Sequence, residues 1–415
     1  MKHLVLIDMN LRGAEGHYLQ YAKSVAAAAM SLGCKVSWVT AREFDRRLAP
    51  VEVEVDTLFE YHVFHEFQSE GENWTLENFN VYNHYIFSEL FTRMKFRNDE
   101  AVFLFPNLIQ NQLYAVIEWS KELRSGSFVV AILRWQNADM DYNVIRGASS
   151  AVKELYCFCF NRINSESGRV FIATDTKRLA GYFQGLSSVA ISQLPNPQVS
   201  VHSTNINLKS RLSMPFVVGF FGGFQRLRGS HLMADIVKIV LTENRQITFV
   251  IHIIDLGSED ALEMVEVQKL YKENIVILGG VLSTSIYNFA LSNSSVVLMP
   301  YSPRFYHWGS SGIACEALSF GVPAVVTAGT TMHQEYEEFG AGCIAVERYD
   351  AHSFSLGIFR ALDAVEHLTA ASVSAAKNYR ERTSPERFVR ELLSLRSSEA
   401  EASLDSPSQI CSQPV

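Results

Sequence analysis

Short apolar runs alternate along the chain with stretches in which apolar side chains recur every three or four positions, the two periods of buried strands and amphipathic helices. In the first half the runs are HLVLI (3–7), KVSWVT (35–40), AVFLFPN (101–107), FVVAILR (128–134) and VFIAT (170–174), with helical patterns over GHYLQYAKSVAAAAMSLG and near 112–124. Strands that are apolar on both faces and spaced by helices predict a parallel sheet covered on each side. The pattern then restarts with FVVGFFGG (216–223), ITFVIHII (247–254), NIVILGG (274–280), SVVLMPY (295–301) and PAVVT (323–327). Its helices are predicted over SHLMADIVKIVLTEN, near 284–292, over GIACEALSFG, and near 352–367 and 385–395. Between the halves, QLPNPQVSVHSTNINLKSRLSMP (193–215) loses the period and gathers proline, serine and asparagine. The expected architecture is α/β, with two doubly wound Rossmann-like domains at 1–196 and 216–395, a linker at 197–215, and a polar, aperiodic tail at 396–415 expected to be disordered. Two such lobes facing each other leave a cleft, and ligands of such sheets sit beyond the carboxyl ends of the strands.

Composition narrows the class. A length of 415 residues accommodates two cores, and 48% hydrophobic with 19% charged residues is the balance of a globular chain. A formal net charge of -8 argues against a general nucleic-acid binder. Six cysteines are scattered, and the one close pair, Cys157 and Cys159, lacks zinc-site spacing. Reduced thiols in the cytoplasm are expected. No apolar run approaches the roughly 18 to 20 residues of a membrane span, and MKHLVLIDMN meets Asp8 before a signal-peptide core is complete. Peripheral contact with the inner face of a membrane stays open, because an amphipathic surface needs no long apolar run. The pattern leaves the oligomeric state undetermined.

Candidate chemistry concentrates where strands give way to helices. In YHWGSSGIACEALSFGVPAVV (306–326), Gly309, Ser310, Ser311 and Gly312 precede a helix. The unpaired amides and positive dipole of such a helix start suit an anion, and small side chains let a phosphate approach. Glu316 follows Gly312 by four residues on the same face, placed to accept hydrogen bonds from sugar hydroxyls. A plain serine cap with a surface glutamate is the competing reading. The turn GFFGGFQRLRGSHLM (219–233) offers Gly222 and Gly223 for close backbone approach, and Arg226 and Arg228 as forks for diphosphate oxygens. A tight turn with solvated arginines competes here. In NLRGAEGHYLQY, Glu15 and His17 lie at another strand-to-helix junction, where a histidine can bind a hydroxyl or exchange a proton. ILRWQNADMDY adds Arg134, Asp139 and Asp141 for acceptor hydroxyls, although aspartates there also form turns. Glu335, in GTTMHQEYEEFG, is either part of that cleft or a solvated member of an acidic run. His252 with Asp255 and His231 with Asp235 are isolated pairs, so no metal site is expected, and neither a G-x-S-x-G elbow nor a P-loop is present.

The linker near LPNP, followed in order by GFFGGFQRLRG, ILGGV, VVLMPY and GSSGIACEALSFGVPAVVT, resembles the GT-B glycosyltransferases, specifically the retaining family 4, over roughly residues 1–395. The resemblance implies that Glu316 is the second glutamate of an E-x7-E motif and binds the donor ribose. Trp308 occupies the place of the first, which in the family faces the transferred sugar. It further implies that Ser310, Ser311 and Gly312 hold the diphosphate through backbone amides and that Val281, after Gly279 and Gly280, meets the nucleobase. Arg228 takes the place of the usual lysine that neutralises the leaving diphosphate. Gly223 falls where many members carry a second basic residue, for which Arg226 is a candidate replacement.

The implied activity is metal- and cofactor-free transfer of a sugar from a nucleotide-diphosphate sugar to a saccharide or glycolipid, in polysaccharide biosynthesis by family habit. His17 and Arg228 are the catalytic candidates, and Glu15 and Arg134 the acceptor-side ones. Two alternatives remain at this point. One is a catalytically silent GT-B protein that binds a nucleotide sugar or a protein partner. The other is a nucleotide-sugar epimerase, which would need the donor alone.

Overall fold

The computed structural model describes residues 2–13, 18–63, 65, 76–134, 148–163, 169–197, 211–244 and 246–404. They form two compact units, Met1–Val199 with Pro385–Val415, and Ser200–Ser384. In the first unit the strands are β1 (His3–Asp8), β2 (Lys35–Ala41), β3 (Glu54–Phe59), β4 (Val102–Leu108), β5 (Phe128–Leu133), β6 (Val170–Thr174) and β7 (Ile191–Gln193). They pair in parallel in the order β3-β2-β1-β4-β5-β6-β7. Each residue of β1, β4 and β5 is buried, as their unbroken apolar runs require. Sequence periodicity missed β3 and β7 because they are half-exposed edge strands, one opening on acidic residues and the other three residues long.

One boundary is corrected by packing. The helix predicted near 385–395 as the close of the second domain runs from Pro385 to Leu404, through the start of the expected tail, and belongs to the first unit. Its Phe388, Val389 and Leu392 enter the core of Leu4, Leu6, Ala22, Val25 and Trp38, and Phe388 meets the Tyr21 ring edge-on at 6.1 Å. The alanine-rich helix Tyr18–Ser31 leaves room for that return. Most of the expected linker (198–210) and the last eleven positions of the expected tail (405–415) lie outside the described residues.

The second unit repeats the plan with β8 (Phe216–Phe220), β9 (Ile247–Ile253), β10 (Ile275–Gly279), β11 (Val296–Met299), β12 (Ala324–Thr327) and β13 (Cys343–Val346). All pairs are parallel, in the order β10-β9-β8-β11-β12-β13. One face packs against helices Ser230–Glu243 and Ala351–Asp363, the other against Gly312–Phe320 and Thr331–Phe339. The helix expected near 352–367 is two helices, Ala351–Asp363 and Val365–Arg382. Strand order reverses beside the first strand of each unit, at β1/β4 and at β8/β11, and such a switch point opens a crevice at the carboxyl ends. At the second, Gly229 has φ 84° and a Cβ there would stand 2.2 Å from the Pro300 carbonyl oxygen, so only glycine lets the turn after β8 close onto β11.

Candidate functional site

In the second unit the site is built on the helix start after β11. Ser311 is buried and extended, and its Oγ accepts the Ala314 amide at 3.3 Å, the geometry of an N-cap. That cap uses one first-turn amide, and those of Gly312 and Ile313 open the helix ahead of it. A Cβ at the exposed Gly312 would meet nothing within 4 Å, so there is space at the tip. The glycine turn after β8 reaches the same place. Gly222 and Gly223 have φ of 92° and 81°, and a Cβ on Gly222 would lie 2.6 Å from Ile313 Cγ1 and 3.1 Å from Arg228 Nη1. A Cβ on Gly223 would lie 3.4 Å from the same nitrogen. Arg228 therefore lies along the turn that abuts the helix start, and its Nε donates to Tyr306 Oη at 3.3 Å.

One turn into the helix, Glu316 Oε2 accepts from Tyr287 Oη at 2.6 Å. Tyr287 comes from helix Thr284–Ser292 and meets Phe221 and His252 edge-on, at 5.7 and 6.1 Å. Burial lifts the Glu316 carboxyl to about 7, with the tyrosine's hydrogen bond pulling the other way. Burial, and then the Glu316 charge, raise the Tyr287 phenol well above its usual range. His252 Nε2 donates to the Gly280 carbonyl at 2.9 Å, which holds the turn that presents Val281, 86% exposed.

The structure thus gathers Gly222, Gly223, Arg228, Ser311, Gly312 and Glu316. Arg226 instead pairs with Glu259 (3.3 Å) and Asp260 (3.0 Å) at the start of helix Glu259–Leu270. Trp308 lies edge-on to His307 at 4.6 Å, in a loop whose Tyr306 and Gly309 carbonyls both accept from Thr331 Oγ1. Ser310 is half-buried beside Ser311, and Glu335 is half-buried on helix Thr331–Phe339. Tyr287 and His252 were missed as site residues, because nothing in the local pattern of either segment ties it to Glu316 or Gly280.

The first unit carries its own polar cluster at its switch point. Asp8 ends β1 fully buried; its Oδ1 accepts the Asn10 amide at 2.9 Å, and burial raises its carboxyl to about 6, against the Asn10 amide and Arg134. Arg134, after β5, donates from Nε to the Pro106 carbonyl at 2.8 Å and holds Nη1 3.8 Å from buried Asp175. Its guanidinium lies 5.1 Å over the Tyr21 ring. Sequence reading picked out Arg134 here but neither carboxylate. Glu15, His17, Asp139 and Asp141 lie outside the described residues. Among the described residues no three His, Cys, Asp or Glu side chains gather as a metal site, and no helix is long and apolar enough to cross a membrane.

Two parallel-sheet Rossmann-like units, the second with a glycine turn and a capped helix start at its switch point, define the chain as GT-B in fold, the class of the glycosyltransferases. Residues 215–364, within the second unit, match the family model described as "Glycosyl transferases group 1". Among solved structures, sucrose-phosphate synthase from Thermosynechococcus elongatus aligns with TM-score 0.65 at 13% identity, covering 97% of this chain and 100% of that one. TarM aligns with TM-score 0.66 at 10% identity over 95% and 99%. HepE of Anabaena, in complex with UDP, aligns with TM-score 0.62 at 14% identity over 98% and 100%. No curated protein matches the chain in sequence.

Proposed function

We propose that the chain transfers a sugar from a nucleotide-diphosphate sugar to a saccharide or glycolipid acceptor, without a metal and with retention of anomeric configuration. The observation that carries this reading is the convergence of the Gly222–Gly223 turn, Arg228 and the Ser311-capped helix start, with Glu316 one turn in. Departure of the diphosphate develops negative charge. A helix N-terminus and a guanidinium already in position stabilise that charge without the reorganisation water would require. Glu316 then accepts hydrogen bonds from the ribose, and the segment at Gly280 and Val281 receives the base. The acceptor is assigned to the Asp8, Arg134 and Asp175 cluster, whose carboxylates accept hydrogen bonds from hydroxyls. Retention and a place in polysaccharide biosynthesis rest on the family resemblance alone, and a cytoplasmic setting on the scattered cysteines.

A second reading, a silent protein that binds a nucleotide sugar, is favoured by Trp308 in the place of the family's sugar-facing glutamate. A thermal-shift titration with UDP, GDP, ADP, CMP and dTDP, with and without magnesium, is the first test, since a native-state ligand raises the midpoint by mass action. UDP leads the series because structures of HepE and TarM contain it. Metal-independent stabilisation by one diphosphate, lost in Glu316→Ala, supports the donor site; no shift with any of them in folded protein rejects it. Sugar transferred to an acceptor from the matching donor then separates transferase from binder.

A further inference from the structure

Arg211 lies in the stretch whose composition reads as linker, yet it is wholly buried in the second unit. Its Nε donates to the Ser292 carbonyl at 2.6 Å, Nη1 to Gly321 at 2.7 Å and Nη2 to Phe320 at 2.9 Å. Ser292 is the last residue of the helix that carries Tyr287; Phe320 is the last of the helix that carries Glu316, and Gly321 is its C-cap. A guanidinium is thus seated on the final carbonyls of both helices, where the dipoles are negative and orphan acceptors need donors. Burial brings its pKa down to about 10, which leaves it charged at neutral pH.

Four or five residues toward the N-termini, about 6 to 8 Å along each axis, the same two helices are joined again by the Tyr287–Glu316 hydrogen bond. One tie between two rods leaves them free to pivot. Two ties at different heights fix how they cross.

We propose that Arg211 is a positioning residue for the donor site: by clamping the ends of both helices it sets the crossing at which the Tyr287 phenol meets the Glu316 carboxylate. The inference rests on reading Glu316 as the nucleotide's partner. It goes beyond that reading by giving a residue remote from the ligand a measurable part in binding it. A lysine keeps the charge but presents one nitrogen where a rigid fork now serves three oxygens on two helices, so Arg211→Lys loosens the clamp without leaving the carbonyls wholly bare.

The test measures UDP affinity by calorimetry in wild type, Arg211→Lys, Tyr287→Phe and the double variant. It also follows the Glu316 carboxyl titration by carbon-detected NMR in nucleotide-free protein, with Glu316→Gln assigning the signal. Arg211→Lys is expected to weaken UDP by about tenfold in the wild-type background and by about twofold or less once Tyr287→Phe has already broken the pair. It is also expected to move the Glu316 titration upward. Unchanged UDP affinity and an unmoved titration, in a variant that merely unfolds at lower urea, would reduce Arg211 to a helix cap and overturn the proposal. If wild type binds no nucleotide diphosphate, the donor-site assignment is what fails, and the Glu316 titration still decides whether Arg211 positions the pair. Should the lysine variant not fold, Arg211→Gln, which keeps two donors, is read by the same outcomes.

Discussion

Donor binding should follow the titration of Glu316. Its carboxyl sits near 7 because burial disfavours the charge, whereas holding ribose hydroxyls requires the carboxylate as acceptor. Binding at low pH must therefore include the cost of removing a proton. If only the ionised form binds, affinity rises about tenfold between about pH 6 and pH 8. A hydrogen bond to a charged group contributes about 1.5 to 3 kcal/mol, which permits a change of that size. UDP-glucose is the suitable probe, because its diphosphate bears no group that titrates in this window. Tyr287→Phe deletes the donor that lies 2.6 Å from Glu316 Oε2 and leaves the burial in place. The titration then moves upward by about one to two pH units, and the rise in affinity moves with it. Glu316→Gln flattens the profile. Calorimetric titration from about pH 5.5 to pH 9 reads all three proteins. Equal wild-type affinity at both ends, or a Tyr287→Phe curve superimposed on wild type, would refute the role given to the carboxylate.

Three further outcomes are expected. The folded Glu316 carboxyl holds its proton more tightly than its unfolded counterpart near 4.5, so the folded state binds more protons between about 4.5 and 7, and ligand-free stability falls as pH rises through that window. Glu316→Gln should abolish the fall and leave the protein more stable than wild type at about pH 8, by up to about 3 kcal/mol in urea denaturation; equal or lower stability contradicts the burial argument. Arg228→Ala should lower kcat more than donor affinity, since a leaving-group counter-charge matters most in the transition state, and equal losses in steady-state kinetics and donor binding would make it a simple binding residue. Arg134→Met should destabilise the protein by about 1 to 3 kcal/mol, because the Pro106 carbonyl loses its donor and buried Asp175 loses one of its partners, and a urea midpoint unchanged from wild type would mean the guanidinium contributes nothing to folding.

Elements whose signal is local were legible in the sequence. Unbroken apolar runs gave β1, β4 and β5 within a residue or two, and glycines with a serine marked the helix start at Gly312. Relations across long separations were not legible. Tyr287 and Glu316 are 29 residues apart, and Arg211 reaches Phe320 across 109. No spacing rule connects such positions, since only the parallel crossovers bring them together. Composition also misled. The serine and proline content around Arg211 describes the backbone of a connection, but says nothing of one long side chain that leaves it for the core. The helix at Pro385–Leu404 shows the same limit at the level of domains: its amphipathic pattern was readable, but its partner, the Tyr18–Ser31 helix more than 350 positions earlier in the same unit, was not.

The two units show how one fold position takes on two chemistries. Each has its strand-order reversal beside its first strand, so each opens its crevice at the same topological point. At β8/β11 the residues are glycines, a capped helix start and Arg228, an array of donors and positive potential that fits a diphosphate. At β1/β4 and the strands beside it the described residues that gather are Asp8 and Asp175 with Arg134. Buried carboxylates disfavour a phosphate and accept hydrogen bonds from neutral hydroxyls, the basis on which the acceptor is proposed to bind there. Doubly wound topology fixes where a ligand can sit, and on the proposed function the sign of the charge placed there separates the donor's crevice from the acceptor's.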